Sequence, residues 1–316
     1  MAIASSPRLR CREIGLADIE ALVNLLTDGF RRRSHDDWAR AFKCLSQHPT
    51  PPGFPKYGYL LECEDTPVGL ILLIYSSILV NGEPKIRCNI CSWYVKPAFR
   101  AHAAILASRA PRHNHVTYFN VTPAPHTVPM LEAHGFERYC TGWFAALPAL
   151  HGGSDKAHVK LVTSNEPLEG LQPTEAELLL AHANYGCISL TCRSNGSTYP
   201  FVFMPRRKFG VVPFVYLAYC RDRQDFVRFA GQLGRFLARS GFPLVVLDSN
   251  GSIGGLVGAY FDGYPKYFKG PDRPQLGDLA YSELAMFRIT GEKIWGSWRR
   301  HSVPVDITGE TLARSK

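Results

Sequence analysis

The stretch from Cys91 to Leu106 constrains the fold of this chain more than any other part of its sequence. It starts as an apolar strand that ends near Val95, is interrupted by Pro97, and continues as a helix that opens on small residues. The turn between the strand and the helix therefore carries few large side chains. Exposed backbone N–H groups at such a turn can hold a diphosphate group. The pattern predicts an α/β chain with an anion-binding turn.

The segments around this stretch alternate between the strand period and the helix period. The first half predicts the order β-α-α-β-β-β-α-β-α-β, with helices at 16–29, 35–45, 101–109 and 129–133. The pair at 81–82, Asn-Gly, predicts a hairpin between two strands of a meander. A meander followed by a β-α-β crossover favours a mixed sheet with helices on both faces.

A second informative stretch runs from Asn120 to Phe136 and ends in the sequence Leu-Glu-Ala-His-Gly-Phe. This ending and the earlier sequence Val-Lys-Pro-Ala-Phe-Arg at 95–100 resemble two motifs of the GCN5-related N-acetyltransferases, the GNAT family. A turn at 66–69 is of the family's usual type, so the resemblance covers residues 9 to about 145. It implies an α/β (α+β) fold with a mixed central sheet of GNAT type.

The resemblance also implies a cofactor and the residues that bind it. In this family two parallel strands splay apart, and the pantetheine arm of acetyl-CoA or another acyl-CoA enters the gap as the acyl donor. Backbone N–H groups of the first strand then polarise the thioester carbonyl. The residues implied to bind the cofactor are Tyr94, Val95, Arg100, Ala101, His102, Ala103, Ala104 and Ile105. Ala103 and Ile105 occupy positions where the family usually has glycine or, at the second position, glycine or alanine.

Two residues are catalytic candidates. The tyrosine that often protonates the leaving thiolate in this family corresponds to Leu131, which cannot donate a proton. His126 is the first candidate, because histidine titrates near neutral pH, and Asn120 is the second. A lone loop histidine is also commonly exposed to solvent without a role, and that interpretation stays open.

The second half repeats part of the first. After a glycine-rich break at 151–155, the sequence predicts a helix at 175–183, strands at 187–192, 199–204 and 211–220, a long helix at 224–240, and strands at 243–248 and 279–289. We therefore predict two tandem GNAT-like units, 1–150 and 151–316, of which the second is degenerate. Its helix entry at 219–223 lacks a glycine loop, so no separate CoA site is predicted there.

Three further groups of residues have a chemical and a structural interpretation. His182 and Cys187 would form a nucleophilic pair if their side chains met, but a helix end before a buried strand is the favoured interpretation. The aromatic and basic stretch at 260–269 either lines a substrate cleft or packs as a loop on the sheet. Cys88 and Cys91 have the spacing of zinc ligands, yet positions three apart on a strand face opposite sides, so no metal site is predicted.

Composition and charge limit the remaining choices. With 316 residues, of which 46% are hydrophobic, the chain has enough apolar material for two cores. The net charge of +9 suits an anionic ligand such as a phosphorylated cofactor, and it also permits nucleic acid or a membrane surface. Nine cysteines without a regular framework predict reduced thiols in a cytoplasmic protein. The longest apolar run, at 68–80, is too short to span a bilayer.

These features predict an N-acyltransferase that moves an acetyl or other acyl group from acyl-CoA to an amine. The expected acceptor is a small-molecule or peptide amine, and nucleic acid is not expected as a partner. One alternative is a GNAT-fold protein that binds or regulates without chemistry, for which Ile105 and Leu131 argue. A second alternative is a transferase that uses aminoacyl-tRNA as its donor.

Overall fold

A computed structural model describes residues 8–80, 82–152, 156–163, 168–208 and 212–287 of the chain. The elements of the first half follow the predicted order. They are β1 (Leu9–Glu13), α1 (Ile19–Gly29), α2 (His35–Gln47), β2 (Gly58–Cys63), β3 (Thr66–Val80), β4 (Glu83–Val95), α3 (Ala103–Arg109), β5 (Val116–Asn120), α4 (Val128–Ala133) and β6 (Glu137–Ala146). The predicted hairpin is confirmed, because Val80 pairs with Glu83, although Asn81 itself lies outside the described residues.

The second half repeats the series of six strands, but its helices are distributed differently: one helix follows its first strand, two follow its fourth, and the last helix comes after its final strand. Its elements are β7 (His158–Leu161), α5 (Pro173–Asn184), β8 (Ile188–Ser194), β9 (Ser197–Lys208), β10 (Val212–Cys220), α6 (Arg223–Arg228), α7 (Ala230–Arg239), β11 (Leu244–Ser249), β12 (Gly258–Lys269) and α8 (Glu283–Met286).

Within the described residues, all twelve strands join in one mixed sheet, in the order β1-β2-β3-β4-β5-β12-β6-β11-β10-β9-β8-β7. The order is symmetric about its centre: each strand of the first half has a counterpart in the second, from β1 and β7 to β6 and β12, and the two members of each pair lie at equal distances from the two ends of the sheet. The two halves therefore share one strand topology. A division of the chain near residue 150 stays a prediction, because the sheet runs continuously across it.

The last strand of each half lies among the strands of the other half. β6 pairs with β11 and β12, and β12 pairs with β5 and β6. The two exchanged strands are antiparallel neighbours, with Phe144 opposite Tyr260. A glycine lies two residues before each of these positions, Gly142 in β6 and Gly258 in β12, and both lie close to the backbone of the neighbouring strand. A β-carbon at Gly142 would lie 2.2 Å from the carbonyl oxygen of Phe261, and one at Gly258 would lie 2.1 Å from that of Ala145.

Helices cover both faces of the sheet, and each half has one core on each face. α1 and α2 pack through residues such as Leu22 and Phe42 on one face of β2, β3 and β4, while α3 and α4 pack through Leu106 and Leu131 on the other. In the second half, α5 covers the first face, and α6 and α7 cover the second. β3 is buried on both faces, which explains its long continuous apolar run.

The structure corrects three predictions in the second half. The strand predicted at 279–289 is wrong: Glu283–Met286 forms one helical turn, and residues 288 and 289 lie outside the described residues. The strand that ends this half is β12. It contains the stretch at 260–269, for which the sequence left two interpretations open, a cleft lining and a loop on the sheet. The helix predicted at 224–240 is two helices, because the backbone leaves helical geometry at Phe229 (φ −100°, ψ 13°).

Candidate functional site

The parallel strands β4 and β5 separate partway along their length. They pair from Ile86 with Val116 to Asn89 with Phe119, and the described pairing between them ends there. β4 continues to Val95 and pairs with β3 alone. A β-bulge between the partners of Leu70 and Leu72 bends β4 at this point, and Ser92 within it has a left-handed backbone (φ 49°). The bend opens a gap between the two strands.

A cleft occupies this gap on the face that α3 and α4 cover, and we call it the α3–α4 cleft. Its empty volume is about 340 Å³, including its open mouth. The lining residues are Ile71, Ile90, Trp93, Ala107, Ala110, Pro111, Asn120, Met130, Leu131, His134 and Phe136. The indole Nε1 of Trp93 is buried here, and no described group accepts a hydrogen bond from it. A buried donor without a partner is costly, so the cleft suits a ligand that carries an acceptor such as an amide carbonyl.

The residues predicted to bind the cofactor are not among the residues that line this cleft; they lie between the lining residues Trp93 and Ala107, at the end of β4, in the turn that follows it and at the start of α3. Val95 is buried at the end of β4, and the Tyr94 ring packs 5.9 Å from that of Phe30. Ala103 is half-buried at the start of α3, and the others are exposed, namely Arg100, Ala101, His102, Ala104 and Ile105. Residues 97–102 form a 3₁₀ turn. The turn offers an exposed cation, Arg100, beside small side chains, and a turn of this kind can hold phosphate groups.

The two predicted catalytic residues lie in different surroundings. Asn120 ends β5, lines the α3–α4 cleft, and accepts a hydrogen bond from the Thr122 N–H at 3.2 Å. His126 lies in the 3₁₀ turn before α4, where it is exposed, and it is not among the described residues that line the cleft. Leu131 is buried and does line the cleft, so an apolar side chain lies where the family's tyrosine was expected.

Sequence reasoning missed a buried carboxyl group at the far side of the same gap. Glu283 of α8 is 5% exposed, and its Oε1 accepts a 2.5 Å hydrogen bond from the Thr122 hydroxyl. Its backbone N–H donates to Oδ1 of Asn89, the last β4 residue that pairs with β5, at 2.8 Å. Glu283 was missed because its segment was predicted as a strand, and no local motif marks a carboxyl group brought in from 161 residues away.

The surroundings of Glu283 raise the affinity of its carboxyl group for a proton. Burial raises its pKa from 4.5 to about 7, against the lowering effects of the Thr122 hydrogen bond and of the charge on Arg33. Its Oε2 is buried, and no described group donates to it. Arg33 follows α1, and its Nη1 is likewise buried without a described acceptor. A carboxyl group of this kind changes its charge near neutral pH, as a general base must.

A larger cleft lies on the opposite face of the sheet, between the two halves, and we call it the central cleft. It encloses about 660 Å³ including its mouth. The lining residues are Val121, Thr122, Pro123, Trp143, Met204, Arg206, Tyr216, Tyr264, Pro265, Lys266 and Leu284. Thr122 lines this cleft while Asn120 lines the α3–α4 cleft. The two clefts therefore lie on opposite faces of the sheet at the end of β5, and Glu283 contacts Thr122 and Asn89 there.

A buried polar cluster lies at the floor of the central cleft. The Lys266 ammonium group donates to Asp248 Oδ1 at 2.5 Å and to the Tyr216 hydroxyl at 3.3 Å. The Tyr216 hydroxyl also donates to Asp248 Oδ1. Burial is the largest of the causes that raise the pKa of Tyr216 well above 10, so the phenol keeps its proton. The aromatic and basic stretch at 260–269 thus contributes Tyr264 and Lys266 to a cleft.

The remaining candidates from the sequence are the pair His182 and Cys187 and the pair Cys88 and Cys91, and their surroundings favour structural roles. His182 is fully buried, with Nδ1 donating to the Leu178 carbonyl at 2.8 Å and Nε2 accepting from the Tyr281 N–H at 3.1 Å. Both ring nitrogens are therefore engaged by the backbone, which favours the structural interpretation of the pair that His182 would form with Cys187. Cys88 and Cys91 lie in cores on opposite faces of β4.

No group of three or more histidine, cysteine or acidic side chains within the described ranges is placed to hold a metal ion. In the part of the chain that the structure describes, no helix has the length and apolar character needed to cross a bilayer.

Comparison with known proteins identifies the fold. No protein-family model and no curated protein matches the sequence. Solved structures do match. A GCN5-related N-acetyltransferase from Anabaena variabilis gives a TM-score of 0.57 over 83% of this chain and 72% of that chain, at 11% identity. One from Kribbella flavida gives 0.52 over 84% and 72%, at 11% identity.

A third structure is described as a conserved protein of unknown function from Enterococcus faecalis and a probable N-acyltransferase. It gives a TM-score of 0.54 over 87% of this chain and 74% of that chain, at 12% identity. At identities this low, the structural matches establish the fold alone, and the chemistry must be argued from the site. The element order, the separated β4 and β5 strands and these matches together confirm the predicted fold: the chain has the fold of the GCN5-related N-acetyltransferases.

Proposed function

We propose that the chain is an N-acyltransferase that takes an acetyl or longer acyl group from acyl-CoA and transfers it to an amine. The observation that carries this proposal is the pair of clefts on opposite faces of the sheet, one lined by Asn120 and the other by Thr122, at the point where the pairing of β4 with β5 ends. A donor bound on one face and an acceptor bound on the other would meet at the gap. Holding two reactants in this way lowers the entropic part of the barrier.

The α3–α4 cleft suits the donor. When bound, acyl-CoA supplies the acyl group in activated form, as a thioester. Trp93 would donate its buried indole N–H to an amide carbonyl of the pantetheine arm. Arg100 and the small residues of the 97–105 turn would hold the phosphate groups, and the backbone at Tyr94 and Val95 would polarise the thioester carbonyl.

Glu283 is the residue placed to accept a proton from the acceptor. An amine is protonated near neutral pH and must lose a proton to attack the thioester carbon. The C–N bond then forms, the C–S bond breaks, and the second proton of the amine nitrogen passes to the departing sulfur, so that CoA leaves as a thiol. The buried Oε2 of Glu283 lies at the gap without a described donor, and Thr122 holds the other oxygen. His126 remains a candidate from the sequence, but its exposed position gives it less support.

Calorimetric titration tests the donor site directly. The full chain is titrated with acetyl-CoA and with longer acyl-CoA esters, beside two tryptophan variants of neighbouring α3 residues. Ala107→Trp fills the α3–α4 cleft, which Ala107 lines, whereas Ser108→Trp places the same side chain at an exposed position of the same helix. We expect binding by the parent and by Ser108→Trp and its loss in Ala107→Trp. No binding of any acyl-CoA by the parent would contradict the proposal.

Trp93→Phe separates a binding role from a structural one. It removes a donor that has no described partner in the free protein, so stability should change by less than about 1 kcal/mol. The affinity for acyl-CoA should fall about 5- to 10-fold, as expected for one lost hydrogen bond. Unchanged affinity would show that the indole N–H does not contact the donor.

One observation favours a second candidate function. Leu131 places an apolar side chain where a proton donor to the leaving thiolate was expected, as in a protein that binds acyl-CoA without turning it over. Assays with a panel of amines distinguish the two functions. Acyl transfer to any of them that is lost in Ala107→Trp supports the enzyme, whereas tight acyl-CoA binding without transfer or thioester hydrolysis supports the binding protein.

A further inference from the structure

We infer that the central cleft binds an acceptor with a single amine carried on an aromatic or other apolar body. This inference rests on the proposed function, because it treats the cleft as the acceptor side of the transferase. The cleft holds about 660 Å³ of empty space when its open mouth is included. It is formed by the residues that follow β5, by β6, β9, β10 and β12, and by the segment around α8, so both halves contribute to it.

The walls of the cleft are apolar and aromatic. Five aliphatic side chains line it, namely Val121, Pro123, Met204, Pro265 and Leu284. Trp143 stacks on Phe261, with ring centroids 4.5 Å apart and planes inclined by 21°, and it meets Tyr264 edge to face at 5.6 Å. Aromatic rings fixed by such contacts offer a rigid surface on which a flat apolar group gains both burial and stacking energy.

The charged groups of the cleft disfavour an acceptor with several positive charges. Its two charged lining residues, Lys266 and Arg206, are both cations. Lys266 is held by Asp248 at 2.5 Å, and Arg206 donates to the Leu284 carbonyl at 2.5 Å. A polyamine or a lysine-rich peptide would bring further ammonium groups against these cations. An acceptor with a single amine brings only one positive charge into the cleft, so it meets less repulsion than a polyamine does.

The position of Glu283 indicates where the amine of the acceptor would lie. Thr122 and Leu284 line the cleft at the end where Glu283 lies, since one binds its carboxyl group and the other is its neighbour in the chain. An amine at this end would face a proton acceptor and the gap between β4 and β5. The apolar body would then extend along Met204, Trp143 and Tyr264. The cleft therefore distinguishes the two ends of such an acceptor.

Calorimetric titration of the full chain without acyl-CoA tests this inference. The probes are tryptamine and 2-phenylethylamine as apolar monoamines, and spermidine and glucosamine as a polyamine and a polar amine. We expect the two apolar monoamines to bind at least about tenfold more tightly than the other two, the factor that one good aromatic contact supplies. Tighter binding of spermidine or glucosamine would overturn the inference.

Matched variants locate the binding. Leu284→Trp fills the cleft from α8 and should weaken tryptamine binding at least about tenfold. Leu161→Trp adds the same side chain at an exposed position of the edge strand β7 and should leave the binding unchanged. Tyr264→Leu removes one aromatic wall and should weaken tryptamine binding while leaving isoamylamine binding unchanged. Circular dichroism confirms that each variant folds, and equal tryptamine binding by all three variants would overturn the inference.

The two proposals can fail separately. Tryptamine binding without acyl-CoA binding would contradict the transferase and keep the assignment of the cleft. Acyl-CoA binding together with transfer to glucosamine or spermidine, but not to tryptamine, would keep the transferase and overturn the assignment of the cleft.

Discussion

Arg87 of β4 and Asp278, 191 residues further along the chain, form two parallel hydrogen bonds of 2.7 and 2.9 Å. Arg87 also donates to the Ala280 carbonyl at 2.7 Å. These contacts attach the segment after β12 to the first half of the chain. Because Glu283 follows three residues later, the same contacts help to fix its carboxyl group beside the gap between β4 and β5.

Loss of one partner of this pair should destabilise the protein strongly. Arg87 is 4% exposed, so Arg87→Met would leave the Asp278 carboxylate without its counter-ion in a buried place. We expect the free energy of unfolding to fall by about 3–5 kcal/mol, as measured by urea denaturation. The double variant Arg87→Met/Asp278→Leu should recover part of that loss. If the single and double variants were equally unstable, the charge pair would not be the cause.

The pH dependence of the reaction should report Glu283. Its pKa is raised to about 7 by burial, and a general base acts in its ionised form, so kcat/KM should rise as the pH increases through about 7. Glu283→Gln should lower kcat about 100-fold and remove this rise. The rise that remains at higher pH should belong to the amine itself. The measurement is a pH–rate profile with saturating acyl-CoA.

A matched control separates this effect from a general loss of charge. Glu177→Gln removes an exposed carboxyl group of α5 and should leave the profile unchanged. A Glu283→Gln profile that kept its inflection near pH 7 would show that another group accepts the proton.

The crossing of the two exchanged strands should tolerate no side chain at its glycines. A methyl group at Gly142 would lie 2.2 Å from the Phe261 carbonyl oxygen, and one at Gly258 would lie 2.1 Å from the Ala145 oxygen, so the strands must move apart. We expect Gly142→Ala and Gly258→Ala each to destabilise the chain by more than about 2 kcal/mol in chemical denaturation. Gly152→Ala, where nothing lies close to the added methyl group, is the control and should have little effect.

Stability below neutral pH should depend on His182. Burial lowers its pKa from 6.5 to about 4, so between these values the unfolded chain binds a proton that the folded chain does not. The stability that His182 contributes is present above about pH 6.5 and is lost as the pH falls toward 4, by up to about 3 kcal/mol. His182→Gln should have a lower stability at pH 7 but lack this slope.

Glu283 also makes stability depend on pH, with the opposite sign, and the comparison of His182→Gln with the parent removes that contribution. The raised pKa of Glu283 makes the folded chain the better proton binder between about 4.5 and 7, so its contribution grows as the pH falls. Because Glu283 is present in both proteins, the difference between their unfolding free energies isolates His182. Parallel pH curves for the two proteins would contradict the prediction.

The fold of the first half could be predicted from local patterns. The apolar run of β3, the Gly29 end of α1 and the proline after β4 each act through neighbours in the sequence, so the element order was confirmed along the whole half. The gap between β4 and β5 followed from the family resemblance. The structure added its local cause, the bulge at Ser92, which no sequence pattern had indicated.

The exchanged strand β12 could not be predicted, for a physical reason. Gly258, Gly263 and Pro265 interrupt its apolar pattern, and two register shifts occur between Asp262 and Tyr267. Such a segment is a strand only because β5 and β6 lie on either side of it. Local propensity carries no information about those distant neighbours.

The same limit explains what was missed at the candidate site. Glu283 and Thr122 meet only after the chain has folded, and the central cleft draws its lining from both halves. The predicted cofactor residues, by contrast, lie in one continuous segment of the sequence, from the end of β4 through the turn at 97–102 to the start of α3, where a motif can mark them. Their role in binding acyl-CoA stays a prediction until the titrations are made.

The exchange of β6 and β12 sets the order in which this chain can fold while it is being synthesised. When a ribosome has released the first 150 residues, β6 has none of its strand partners, and β5 has an open edge where β12 will pair. Both stay exposed until residue 269 has left the exit tunnel, and unpaired strand edges of this kind invite aggregation. The nascent first half must therefore wait for the second, and a chain truncated between the halves would leave β6 without either of its strand partners and β5 with an unpaired edge.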